Sequence, residues 1–159
     1  MANDNEHKIF DLNKVIQIKV TQKSDLLLAL YESLKRAKVT SGVILGGVGA
    51  LEKCVFRNLK VYPTQFPITD EERLFLSVEK PLELISLTGW VGEKPNGEPE
   101  VHAHFSASFV ENNVVKTYGG HLTEGTIASI KVAVTIGVFE EKQKVSKNNK
   151  HGQWDLDLV

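Results

Sequence analysis

The order of apolar and polar residues changes period once along the chain. Ile16, Ile18 and Val20 alternate with Gln17 and Lys19, the pattern of a half-buried strand. From Asp25 to Lys38 the spacing becomes helical: Leu27, Leu30, Tyr31, Leu34 and Ala37 form an apolar stripe. Ser24 offers an N-cap, Asp25 suits the positive end of the helix dipole, and Lys35, Arg36 and Lys38 suit the negative end. One helix is predicted there and none elsewhere. Seven further stretches read as strands: Val43 to Val48, Cys54 to Val61, Leu74 to Val78, Leu82 to Val91, Val101 to Val110, Val114 to His121 and Ile127 to Phe139. Pro63, Pro67 and the run Glu93 to Pro99 separate them as loops. Strands in such close succession, without helices between them, favour antiparallel meanders over a doubly wound parallel sheet. The expected fold class is therefore α+β, a single domain over residues 1–159 with a mostly antiparallel sheet and one main helix. The polar, Lys- and Asn-rich segment Glu140 to Gln153 reads as a mobile excursion. After it, Trp154, Leu156 and Leu158 alternate with Asp155 and Asp157, as a short closing strand or a partner contact would.

Composition narrows the class. A chain of 159 residues, 42% apolar and 25% charged, is ordinary for one globular domain and excludes disorder throughout. At this size roughly 70% of the unfolded surface can be buried, so no disulfide or metal is needed merely to hold the fold. No apolar run approaches the ~18 residues of a spanning helix, and no membrane association is expected. The polar stretch Met1 to Lys8 lacks a signal-peptide pattern, and the one cysteine, Cys54, suits a reducing compartment; a cytoplasmic location is expected. Cys54 itself has no signature of nucleophilic work and reads as a small core residue.

With Lys+Arg 19 against Asp+Glu 20, the formal charge is −1, and the surface as a whole is no polyanion magnet. A local patch remains. Lys142, Lys144, Lys147 and Lys150 outnumber Glu140 and Glu141, and such a run either touches phosphates in a salt-sensitive way or is a solvated loop. Neither a helix-turn-helix nor aromatic residues interleaved for base stacking accompany it.

The glycine-rich stretch Ser41 to Leu51 invites a phosphate-loop reading, but the helix precedes the glycines and a β-like stretch follows them. Backbone N–H groups at a helix N-terminus, which such a loop needs, are missing, as is a Gly-Lys-Ser/Thr. A buried strand with a turn or bulge is expected instead.

Val101 to Val110 carries the most specific chemistry. Val101, Ala103, Phe105, Ala107 and Phe109 face one way; His102, His104, Ser106 and Ser108 face the other. Asn112 and Asn113 tolerate the positive φ of a two-residue hairpin turn. That turn would place Glu111 opposite Val114, Ser108 opposite Thr117, Ser106 opposite Gly119 and His104 opposite His121. With His102 one diagonal step away, three imidazoles would converge, and Gly119 and Gly120 would leave room beside them. Three neutral imidazoles suit Zn²⁺ or a similar ion with a fourth position open to water or substrate. The same spacing also fits a solvated or hydrogen-bonded histidine cluster. Glu124 reads as a further ligand, a base or an exposed loop acid. Glu83, in an apolar run, reads as a buried carboxylate or a solvated edge residue.

Taken in order, Ser41-Gly42-Val43-Ile44-Leu45-Gly46-Gly47-Val48-Gly49-Ala50, Leu82-Glu83-Leu84-Ile85-Ser86-Leu87-Thr88-Gly89, Val101-His102-Ala103-His104 and Gly119-Gly120-His121-Leu122 with Gly125 resemble the plants-and-prokaryotes-conserved (PPC) domain family, in its stand-alone prokaryotic type. The resemblance implies a largely antiparallel α/β domain assembled as a homotrimer. It also implies a metal, zinc by its ligand set, at His102, His104 and His121, with an unidentified small-molecule ligand or substrate. The fold it implies is similar to that of zinc-dependent acetolactate decarboxylases. A lyase of that kind needs cationic and acidic partners around the metal, which the sequence does not identify. Plant members of the family bind DNA through AT-hooks. This chain lacks an AT-hook and has Lys80-Pro81-Leu82 where the plant form has Gly-Arg-Phe, so a DNA-binding or regulatory role, with Lys142, Lys144, Lys147 and Lys150 as contacts, stands second.

Overall fold

The computed structural model describes residues 6–148 and 152–158. In chain order the elements are β1 (Leu12–Thr21), α1 (Leu26–Ala37), β2 (Gly42–Leu59), a 3-10 turn (Asp70–Glu72), β3 (Arg73–Glu93), β4 (Pro99–Glu111), β5 (Val114–Leu122), β6 (Ile127–Phe139), β7 (Lys144–Lys147) and β8 (Trp154–Asp157). The strands form one sheet in the order β1-β6-β2-β5-β4-β3-β7-β8, with an additional β2–β3 ladder. Every pairing is antiparallel except the parallel bridge Glu93↔Lys144 between β3 and β7. The α+β expectation holds.

Two pairs of predicted strands are single long ones. β2 runs through the glycine-rich stretch, and β3 runs through Pro81. The β2–β3 register jumps between Leu51↔Leu82 and Lys53↔Glu79, which places Pro81 in a bulge. A proline lacks the N–H a ladder needs, and a bulge is where a strand tolerates it. Sequence punctuation that looked like a strand end is a kink.

Because β2 pairs with β3 along one edge and meets β5 at Phe56↔Leu122 and Arg57↔His121 on another, β2, β3, β4 and β5 close into a ring. Phe56 and Phe105 stack inside it, ring centroids 4.8 Å apart. Helix α1 packs Leu26, Leu30 and Leu34, all fully buried, against the sheet. Each such leucine contributes about 1.5–3 kcal/mol of burial free energy. Leu27 and Tyr31 are only partly buried and Ala37 is exposed, so the buried stripe is rotated from the expected one. The N-cap is Asp25 rather than Ser24. One Asp25 carboxylate oxygen accepts from the Leu28 N–H at 3.1 Å and the other from the Gly125 N–H at 2.6 Å. Asp25 can satisfy two donors at once, tying the helix start to the β5–β6 loop, whereas a serine hydroxyl serves one less strongly.

Within the segment 140–153, residues Lys144–Lys147 form strand β7, and residues 149–151 lie outside the described residues. Gln143 is buried; its backbone N–H donates to Ser41 Oγ at 2.7 Å and its side-chain amide donates to the Val91 carbonyl at 3.1 Å. Val145 is buried, and β7 then pairs with β8. Polar composition hid this segment, because its attachment uses one amide and one valine rather than an apolar run. Of the alternating Trp154 to Leu158, Trp154–Asp157 forms strand β8 and Leu158 lies beyond its end.

Candidate functional site

Asn112 and Asn113 have φ of 52° and 58°, the left-handed pair of a two-residue hairpin turn. The β4–β5 register is the expected one: Glu111↔Val114, Ser108↔Thr117, Ser106↔Gly119 and His104↔His121. On the next ladder Arg57 of β2 pairs with His121, and on the other side Thr88 and Trp90 of β3 pair with His104 and His102. Arg57, His121 and His104 therefore lie in one row across the outer face of the ring, with His102 a diagonal step away.

The three imidazoles converge. Ligand atoms of His102, His104 and His121 lie within 4.8 Å of one another. Ring centroids are 4.7 Å apart for His102–His121 and 5.1 Å for His104–His121, both nearly perpendicular, and 5.4 Å for His102–His104. Trp90 stacks on His102 at 5.1 Å and 17°, which fixes that ring's plane. No imidazole of the three has a hydrogen-bond partner among the described residues. Burial, then the neighbouring Arg57 and the other two histidines, pushes His121 down to about 3. Burial, then His104 and Arg57, also lowers His102. Both rings are neutral at physiological pH, the form that offers a lone pair to a cation. The donor set fits a divalent transition metal.

A cleft of about 350 Å³ opens over the histidines, walled by Arg57, Asn58, Leu59, Ile68, Arg73 and Gln153. Asn58 donates to the Gly119 carbonyl at 2.9 Å. A Cβ at Gly120 would lie 2.7 Å from Asn58 Nδ2, so the room expected at that glycine is filled by Asn58 rather than left for a ligand.

Glu124 and Glu83 are exposed and stand outside the histidine group, Glu83 as the solvated residue. Cys54 is fully buried, and burial pushes its thiol up to about 12, as befits a core residue. Of the lysines, Lys142 is paired with Glu93 at 2.8 Å, while Lys144 and Lys147 are exposed on β7 and, three residues apart, leave opposite faces of the strand. Lys150 lies outside the described residues.

Sequence reading missed Arg57, Arg73, Trp90 and Gln153. Arg57 pairs with Phe75 and Leu59 with Arg73, so the two arginines are diagonal neighbours on one face. Arg57 does stand out as the lone charge after Cys54-Val55-Phe56. Its facing strand, though, lies beyond the loop of residues 60–72, whose length leaves register open.

The sequence profile of the Plants and Prokaryotes Conserved (PCC) domain matches residues 8–140. A plant- and prokaryote-conserved (PPC) protein of Pyrococcus horikoshii is 25% identical with a TM-score of 0.68, covering 94% of this chain and 96% of its own. A metal-containing protein of Archaeoglobus fulgidus, 20% identical, superposes with a TM-score of 0.71 over 94% of this chain and 99% of its own. A Bacteroides thetaiotaomicron protein described as a "putative DNA binding protein", 18% identical, reaches a TM-score of 0.75 over 97% and 96%. No curated protein sequence matches the chain at a significant level.

Proposed function

The chain belongs to the Plants and Prokaryotes Conserved (PCC) domain family, and from that premise we propose that it is a metal-dependent member of it. His102, His104 and His121 hold a divalent ion, zinc by ligand type, and a small ligand binds or reacts beside that centre. The observation that carries this reading is the convergence of three imidazoles that hydrogen-bond to none of the described residues. Imidazoles placed for structure usually spend a nitrogen on a neighbour. The Archaeoglobus neighbour is described as metal-containing, in line with this reading. Bound there, the ion would supply a Lewis acid that polarises an oxygen of the ligand.

The chain's own residues do the rest. Arg57 and burial keep His121 unprotonated, Trp90 sets the plane of His102, and Leu59 and Ile68 narrow the cleft. Exposed Leu45, Val48, Ile85 and Ile130 support self-association, in keeping with a homotrimer. The single buried thiol agrees with a cytoplasmic location, and among the described residues no helix is long and apolar enough to cross a membrane.

Metal analysis of protein purified without a polyhistidine tag is the test. About one zinc per chain is expected, falling to near zero in His104→Ala. No stoichiometric metal in either native or zinc-supplemented protein removes the reading.

A second reading, DNA association through Lys142, Lys144, Lys147 and Lys150, is favoured by the name of the Bacteroides neighbour. It requires binding that weakens steeply with salt and drops when these lysines are neutralised. Because Lys142 already faces Glu93, this reading ranks below the metal centre.

A further inference from the structure

The cleft over the histidines holds more positive charge than the chain itself answers. Arg57 is half-buried, and among the described residues its guanidinium has neither a hydrogen bond nor an ion pair. Arg73 has one, to Asp70 at 3.0 Å, and Asp70 is four-fifths exposed while the Arg73 side chain is 18% exposed. Both arginines line the cleft with His102, His104 and His121, and no carboxylate is among the described residues that line it. Glu100 lines an adjoining hollow that Arg57, Arg73, His102 and His121 also border, and there Lys94 pairs with it at 3.4 Å. Asp155, whose charge is felt at His102, accepts a hydrogen bond from Asn148.

Arg57 and Arg73 are diagonal neighbours on one face, so two guanidiniums share one wall of the cleft and repel one another. A divalent ion on three imidazoles would add two more charges, and the acid of the adjoining hollow, Glu100, is already paired with Lys94. Guanidinium forks match the paired oxygens of a carboxylate or a phosphate. A cleft of about 350 Å³ is at the small end of ligand pockets.

We propose that the site takes a small oxyanion, a molecule bearing a carboxylate or phosphate group that lies against Arg57 and Arg73 beside the three histidines. This names the ligand class of the proposed metal centre and rests on that reading. Arg57 is the specific partner, since among the described residues its guanidinium has no hydrogen bond or ion pair; Arg73, steadied by Asp70, adds charge and shape.

The experiment uses full-length protein whose zinc content has first been measured. Propionate and inorganic phosphate are titrated into it calorimetrically, with propionamide as the uncharged control. At least one of the two anions is expected to bind, propionamide is not, and Arg57→Met is expected to weaken the anion about tenfold or more when binding is expressed per zinc-loaded site. Arg57→Lys, which keeps the charge and loses the fork, should fall between, and this variant guards against a folding defect in the first. Tighter propionate assigns the carboxylate class, and tighter phosphate the phosphate class. Zinc-loaded protein that binds neither anion, or an Arg57→Met variant that binds as tightly as the parent, overturns the proposal. A chain that never takes up zinc is detected before any anion is added, and that result overturns the metal centre and what is built on it.

Discussion

The β4–β5 hairpin carries charged or titratable groups at both ends, and the two ends handle them differently. Near the turn, Glu111 sits between Lys116 and Lys80, which hold its carboxyl down to about 2. At the open end, Arg57, His121 and His104 stand in a row with no carboxylate among the described residues lining their cleft. Here burial and like charge act in the same direction, pushing His121 down to about 3. Both ends share one twisted ladder and one register. The turn end is closed on itself electrostatically; the open end leaves lone pairs and a guanidinium for a species from outside the chain. Perturbed groups that neutralise one another stabilise a fold, whereas perturbed groups left uncompensated in a cleft mark where it acts.

The contrast is broken most severely by Gly89→Ala. A Cβ there would lie 2.1 Å from the His102 carbonyl oxygen and 2.7 Å from the Ala103 Cα, so β3 and β4 must separate beneath the histidines. A loss of roughly 3 kcal/mol or more is expected in denaturant unfolding, with the metal site lost as well. Next comes His121→Ala, which removes one ligand and one member of the row. Zinc affinity measured against a competing chelator should fall by about a hundredfold or more, while the Glu111 end is untouched.

Acid titration of the metal-free protein separates the two ends by pH. His121 titrates near 6.5 when unfolded and near 3 when folded, so between those values the unfolded chain binds the extra proton. Stability should therefore fall as pH drops through that window, and His121→Gln should flatten the slope. Glu111 gives the same sign in a lower window, from its ordinary 4.5 to about 2, and Glu111→Gln removes that component alone. Smallest is Lys116→Ala at neutral pH. Exposed ion pairs contribute little, so a minor drop in Tm that fades with added salt is expected.

How much of this could be read from the sequence depends on how each contact is specified. The hairpin was legible because Asn112-Asn113 fixes the turn, the turn fixes the register, and the register pairs His104 with His121. The face bearing His102 followed from strict alternation. Arg57 and Arg73 were not legible, because the loop between β2 and β3 sets no register and the β2–β5 contact is only two residue pairs long. Pro81 misled, since a bulge and a strand end have the same composition. Gln143 and Val145 were hidden in a lysine-rich stretch whose ordering depends on hydrogen bonds to the distant Ser41 and Val91.

The β7–β8 ribbon supplies Gln153 to the cleft, yet among the described residues it pairs with the main sheet only at the bridge Glu93↔Lys144. Two strands of four residues each, anchored chiefly by Gln143 and Val145, are expected to open at a lower free energy than the central ladders, carrying one wall of the cleft with them. Amide hydrogens of Val145 and Leu156 should exchange sooner than those of Phe105 or Val134. A ligand that touches Gln153 would slow them in proportion to its occupancy, so the ribbon is a built-in reporter of what enters the site.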